Sequence, residues 1–287
     1  MSFINFARAH GVAIDPNRLY ASDKIKRCGT VERPNSGNGA YWWDGQRGWV
    51  FNWQDEARTI WYEDPDAKPW TPEEKLEWTL KRKMANAAKD RSYELAAQRA
   101  DITLRSAKME LHDYLHLKGF PEQKGLVLDG VLLVPMRNVV TNKVQGYQQI
   151  FWDAESRKWE KKMQPGMRAK NAVLYIGSRE APEAWLVEGY ATGLSLLAAL
   201  RSVGLHASVV VCFSASNLIA VADQIPGKRF VFADNDVSKT GENAAIQTGL
   251  PWTMVDQVGY DANDLHKNNG LFAVVAKIMA ARSQAMV

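Results

Sequence analysis

From about residue 184 the chain alternates short apolar runs with stretches of helical period. Runs at 185–187, 208–213, 229–233 and 252–255 have the continuous hydrophobicity of strands covered on both faces. Between and after them, 194–202, 218–223, the neighbourhood of 242–248 and a closing segment from Leu271 follow a helical period. This alternation implies βαβ units, right-handed crossovers and a doubly wound parallel sheet. The earlier part is patterned differently. Two strand-like runs, 126–134 and 144–152, are joined through Pro135-Met136-Arg137-Asn138, and a charged run broken by Pro165-Gly166 follows them. Thr71-Pro72-Glu73-Glu74 reads as a helix start, with a Thr cap, Pro at the first helical position and acids in the first turn. Before it, Tyr41, Trp42, Trp43, Trp49, Phe51, Trp53, Trp61, Tyr62 and Trp70 interleave with glycines, and Asp44-Gly45 is a hairpin signal. The expected fold is therefore α/β. It comprises an aromatic-rich antiparallel β module over 1–70, a helical linker over 71–119, a mixed α+β basic subdomain over 120–178 and a doubly wound parallel-sheet domain over 179–287.

Composition narrows the class. A chain of 287 residues, 46% apolar, can bury a full core. No stretch approaches the roughly 20 apolar residues of a membrane span, and Met1-Ser2-Phe3-Ile4-Asn5-Phe6-Ala7-Arg8 lacks a signal-peptide core, so the expected location is the cytoplasm, away from membranes. Cys28 and Cys212 are the two cysteines, far apart and outside any CxxC, so neither a disulfide framework nor a cysteine-rich zinc site is expected. Net charge is +4, unevenly spread: residues 171–287 hold 8 Lys/Arg against 10 Asp/Glu, and residues 1–170 hold 28 against 22. Such asymmetry fits a protein that grips a polyanion with one part and does metal chemistry with another, although a solvated face would look the same.

The candidate chemistry sits where strands stop. Glu188 closes the run at 185–187, and Asp234-Asn235-Asp236 closes the run at 229–233. In an open α/β sheet that edge is where ligands bind. Carboxylates gathered on neighbouring strand ends need cations, and oxygen-only ligands suit Mg²⁺ or Mn²⁺. Upstream, residues 155–170 carry six Lys/Arg, among them Lys161, Lys162, Arg168 and Lys170, against two acids. A basic loop beside an acidic cluster is where a nucleic-acid backbone or a triphosphate would be held. The charged segment 75–110 reads as solvated helix or as a phosphate-contacting face. His112 and His116 have the i, i+4 spacing of a metal pair but no third ligand nearby. The N-terminal aromatics fill the core of a small module, form an exposed platform for bases, or divide between the two roles.

Four segments taken in order resemble the Toprim domain of phage and plasmid DNA primases: Glu188-Gly189-Tyr190-Ala191-Thr192-Gly193, Phe213-Ser214-Ala215-Ser216-Asn217-Leu218, Ala233-Asp234-Asn235-Asp236 and Asp261-Ala262-Asn263-Asp264-Leu265. Upstream, His112-Asp113-Tyr114-Leu115-His116-Leu117-Lys118-Gly119, Leu133-Val134-Pro135-Met136-Arg137-Asn138 and Gly146-Tyr147-Gln148-Gln149-Ile150 look like the segment that precedes Toprim in those primases. The resemblance spans about 112–268. It implies synthesis of short RNA primers on single-stranded DNA from ribonucleoside triphosphates, with Mg²⁺ or Mn²⁺. Carried over by motif, Asp234 and Asp236 are metal ligands, Glu188 is a ligand or helps deprotonate the attacking 3′-hydroxyl, and Asp264 is an accessory acid. Arg137, Lys161, Lys162, Arg168 and Lys170 are the expected nucleic-acid and nucleotide contacts. The family's usual N-terminal zinc ribbon is missing its cysteines here, and with no GxxxxGK[ST] loop any replicative helicase is expected to be a separate partner. Two other readings stay open: a Toprim metal-dependent nuclease, and a non-catalytic single-stranded-DNA-binding accessory protein of the replisome.

Overall fold

A computed structural model describes residues 1–53, 58–67 and 69–284; residues 285–287, the end of the expected C-terminal domain, and 54–57 and 68 of the expected N-terminal module lie outside the described residues. The chain divides into two compact units, Met1–Lys83 and Met84–Val287.

In the first unit, α1 (Phe3–Ala9) is capped by Ser2 and leads into β1 (Val12–Ala13), β2 (Ser22–Thr30), β3 (Gly39–Trp43), β4 (Arg47–Asn52) and β5 (Ile60–Glu63). These strands pair in sequential order as an antiparallel sheet. The β3–β4 turn uses Gly45 at φ +108°, and Asp44 Oδ1 accepts from the backbone N–H of Gln46 and Arg47 at 2.8 and 2.6 Å, as the Asp-Gly signal suggests. Phe3 and Ala7 of α1 close over Val12, Ile14, Tyr41, Val50 and Tyr62. Some of the aromatic run is thus core.

The helix expected from Thr71 is α2 (Pro72–Ser106), 35 residues, and the division between units falls within it. Thr71 and Glu74 form a reciprocal capping box: Glu74 Oε2 accepts from Thr71 N at 2.8 Å, and Thr71 Oγ1 accepts from Glu74 N at 3.2 Å. Most of α2 is solvated, in keeping with its charge. Ala96, Ala100 and Leu104 are its buried stripe at i, i+4, i+8.

The second unit continues with β6 (Lys108–Glu110), α3 (Asp113–Leu117), β7 (Gly125–Leu128), β8 (Val131–Asn138), β9 (Val144–Asp153), β10 (Lys158–Met163) and β11 (Ala172–Ile176). Then come β12 (Glu183–Val187), α4 (Tyr190–Ser202), β13 (Ala207–Val211), α5 (Ala215–Ala222), β14 (Lys228–Ala233), α6 (Thr240–Thr248), β15 (Trp252–Met254), α7 (Ala262–Asn269) and α8 (Leu271–Gln284). One ten-stranded sheet runs β10-β9-β8-β11-β13-β12-β14-β15, with β7 and β6 also paired from β8. β13, β12, β14 and β15 are mutually parallel. β11 is antiparallel to both its neighbours and joins the parallel strands to the antiparallel ones.

β12, β13 and the last four residues of β14 are buried on both faces, which is why their sequences read as unbroken apolar runs. Trp185, Val187, Val209, Val211, Phe230 and Phe232 pack on one face with Leu196, Leu200, Val274 and Ile278. Leu186, Val210 and Val231 pack on the other with Leu218, Val221 and Ala245. Each large side chain removed from water contributes roughly 1.5–3 kcal/mol before the entropy of ordering is charged against it. Among the described residues no helix is long and apolar enough to cross a membrane.

Candidate functional site

β12 and β14 lie side by side and parallel, so the residues following them emerge at the same edge. Glu188 leaves β12 one residue before Gly189, the cap of α4. Asp234 leaves β14, and Asn235 ties that exit to the chain beyond β15: its Nδ2 donates to Val255 O at 2.9 Å and its N–H to Tyr260 O at 3.2 Å. Asp236 begins the loop into α6. Its carboxylate accepts from Ser238 Oγ, from Thr240 N at 3.2 Å and from Gly241 N at 2.9 Å. Burial works against its charge, but these donors outweigh burial and hold the carboxyl below the ordinary carboxylate range.

Asp234 is the opposite case. Burial first, then the charges of Asp261 and Glu188, push its carboxyl up from 3.8 to about 7, with Lys161 opposing and Asp236 adding. Its Oδ1 is buried and has no hydrogen-bond partner. Glu188 is likewise raised, by burial and then by Asp236, against a hydrogen bond from the Ala215 N–H. Two ionisable groups in one cluster are therefore pushed apart: Asp236 is held charged and Asp234 holds its proton to neutral pH.

The elements around the cluster are fixed by tight backbone geometry. Phe213, just past β13, sits at φ +66°, a conformation costing of order 1–3 kcal/mol for a bulky residue. Its N–H donates to Glu188 O at 3.0 Å. Asn217 is buried and clips two segments together, donating to Ala172 O at 2.7 Å and Cys212 O at 2.9 Å while its Oδ1 accepts from Asn171 N at 2.7 Å. At Gly241 an added Cβ would collide with the Asp234 carbonyl oxygen. Gly241→Ala is expected to move the α6 start off Asp236, costing about 1–3 kcal/mol and weakening divalent-cation binding. Thermal denaturation with and without Mg²⁺ checks both effects.

The last of the four motif segments is a capping box at α7: Asp261 Oδ1 accepts from Asp264 N at 2.9 Å, and Asp264 Oδ2 accepts from Asp261 N at 3.2 Å. The other Asp261 oxygen accepts from Thr192 Oγ1 at 3.0 Å. Asp264 is thus engaged as the return half of the box, and Asp261 is the carboxylate whose charge acts on Asp234. The D-x-x-D spacing carried that signal, since the first residue of a capping box is the one at the helix mouth.

The basic residues separate. Lys161 on β10 is the cation acting on Asp234, and its Nζ stands 5.6 Å from the Tyr114 ring centre. Lys162, next in the strand, lies over Phe151 at 5.3 Å. Arg168 pairs with Asp90 of α2 at 3.9 Å, and Arg137 donates to Asn142 O at 3.2 Å in the β8–β9 turn. Lys170 is exposed, and its carbonyl accepts from Gln145 Nε2 at 3.2 Å. His112 caps α3 by accepting from Tyr114 N at 3.2 Å, a structural role.

Among the described residues no group of three or more His, Cys, Asp or Glu side chains is placed to hold a metal ion. The site still fits a hard divalent cation. Mg²⁺ keeps several waters and is held through one or two carboxylates, and Asp234 presents a buried oxygen without a partner beside Asp236, Glu188 and Asp261.

No family model matches the chain, and no curated protein matches it. Among solved structures it is similar to a bacteriophage T7 assembly of lagging-strand DNA polymerase with primase domains of two gp4 subunits bound to an RNA/DNA hybrid and dTTP. The identity is 16%, over 62% of this chain and 88% of that one, with a TM-score of 0.37. It is also similar to the DnaG catalytic core, at 16% identity over 52% of each chain and a TM-score of 0.37.

Proposed function

We propose that this chain is a DNA primase, joining ribonucleotides on a single-stranded DNA template with Mg²⁺ or Mn²⁺ held at the β12–β14 edge. The observation carrying this reading is Asp234: a buried carboxyl raised to about 7, one oxygen unpartnered, facing the charges of Asp261, Glu188 and Asp236. The ordered Toprim-like motifs are its sequence support. Asp234 and Asp236 would hold the cation, with Asp261 adding negative charge beside them. When bound, the cation lowers the pKa of the attacking 3′-hydroxyl and offsets charge on the leaving pyrophosphate.

The chain's own residues then divide the work. Asp236, kept ionised by Ser238, Thr240 and Gly241, is the standing anion of the site. Asp234, whose carboxyl sits at about 7 without metal, would hold the cation as the deprotonated carboxylate. Glu188, raised in the same direction by burial and by Asp236, is suited to take the hydroxyl proton. Lys161, whose charge acts on Asp234, draws the triphosphate toward the acids. A replicative helicase would act as a separate partner.

Incubation with single-stranded DNA, labelled ribonucleotides and Mg²⁺ tests this reading. Short RNA products are expected. Mg²⁺-dependent shortening of the DNA without nucleotides would instead identify a nuclease. No product and no divalent binding at millimolar concentration would leave a DNA-binding accessory protein.

A further inference from the structure

The five-stranded sheet has two faces, and one is covered by α1, where Tyr41, Val50 and Ile60 pack in register. On the other face Trp42 stands opposite Trp49, and Trp49 opposite Trp61. Residues directly opposed in an antiparallel ladder share a face, so three tryptophans form a row across β3, β4 and β5. None of the three belongs to the hydrophobic core of this unit. The Trp42 and Trp61 rings meet edge to face at 6.4 Å, and Trp61 is 55% exposed.

The row continues at both ends. Phe51, on the same face, contacts Trp53 at 4.5 Å, and Trp53 is 48% exposed with the Arg27 guanidinium 3.7 Å over its ring. At the other end Trp70 and Trp78, 5.4 Å apart, wall a groove of about 370 Å³ together with Trp42, Trp61 and Lys75. Three acids near this end have partners: Glu63 pairs with Arg47 at 2.8 Å, Glu74 with the Thr71 backbone at 2.8 Å, and Glu77 with Lys81 at 2.9 Å.

We propose that this face binds single-stranded nucleic acid, with bases stacked on Trp61 and Trp42 and the backbone held by Arg27, seated on Trp53, and by Lys75. Exposed aromatic rings spaced along a sheet and flanked by cations are what unstacked bases require, and every base has a π-face to offer. An aromatic-lined groove also suits a proline-rich peptide. Cations at both ends of the row favour the polyanion. Calling the bound strand a template rests on the reading proposed above; the binding itself does not.

The test uses the full chain and a fluorescent oligothymidylate in buffer free of nucleotides and divalent ions, so its result is independent of primer synthesis. The wild type is expected to bind, with anisotropy rising on titration. Trp42→Ala with Trp61→Ala should weaken binding about 10- to 100-fold, and Trp61→Phe should recover much of the loss. Lys75→Gln should flatten the slope of log affinity against log salt by roughly 0.7. Far-UV dichroism and melting curves establish that each variant is folded. Unchanged affinity in folded double-alanine protein overturns the inference. A proline-rich peptide that binds the wild type, is lost on Trp61→Ala and leaves oligothymidylate binding untouched assigns the face to peptides and overturns it too.

Discussion

Asp234→Asn is expected to abolish primer synthesis while making the metal-free protein more stable at neutral pH. The two effects share one cause. In the folded chain the Asp234 carboxyl sits at about 7, against an ordinary 3.8. Between those values the unfolded chain has lost this proton and the native chain keeps it. Native stability therefore falls as pH rises through the window, and the loss is complete above about pH 7. At about 1.4 kcal/mol per pKa unit the full cost is roughly 4 kcal/mol. Asparagine has no charge to bury, so this part of the pH dependence disappears. If Asp234 holds the proposed divalent cation, added Mg²⁺ is expected to reverse the wild type's deficit and to leave the variant's melting temperature unchanged. Synthesis should drop at least about a thousandfold, because a metal's charge stabilisation amounts to several kcal/mol. Melting curves from pH 4 to 8, with EDTA or Mg²⁺, are set beside primer yields. Wild-type yield from the variant would remove Asp234 from the chemistry.

The largest loss of stability is expected at Trp185→Ala. Trp185 is fully buried in β12, stacks on Phe230 at 4.7 Å, and donates its indole N–H to Glu183 Oε1 at 2.7 Å. Glu183 is itself buried and receives Arg282 Nε of α8 at 3.1 Å. Truncation removes the ring and one of the two donors of a buried carboxylate, costing about 3–5 kcal/mol. Trp185→Phe keeps the stack and loses only the donor, at about 1–3 kcal/mol. Urea titration should show a lower midpoint at unchanged slope for both. Equal losses in the two variants would mean that the indole hydrogen bond, and not the packed ring, is what this position contributes.

The parallel strands were legible because burial on both faces leaves no polar alternation: the runs at 185–187, 208–213 and 229–233 fall on β12, β13 and β14. β11 was not legible. Its five residues lie between Asn171 at φ +62° and Gly177 at φ +96°, and partners far away in sequence make it a strand. α7 was missed for a different reason. Ala-Asn-Asp-Leu-His-Lys-Asn-Asn is a poor helix former, and the capping box formed by Asp261 and Asp264 starts it. The resemblance names Asp264 as an accessory acid, and the same box shows Asp264 engaged with the Asp261 backbone, while it is the charge of Asp261 that raises Asp234. The positions of Glu188, Asp234 and Asp236 at the ends of β12 and β14 were visible because each ends or follows an apolar run. The electrostatic contrast between Asp234 and Asp236 was not, since it arises from donors in the Ser238–Gly241 turn and from burial that only the packed sheet creates.

β11 changes partners midway. Ala172 and Val173 pair with β8, and Leu174, Tyr175 and Ile176 pair with β13. Five residues therefore splice the strands that bring Lys161 to those that bring Asp234, with no loop in the splice. Backbone pairing across the second unit thus runs through these five residues, while side chains bridge its two parts separately: Leu194 of α4 packs with Leu132 and Ile150, and Asn263 Nδ2 donates to Lys118 O at 2.8 Å.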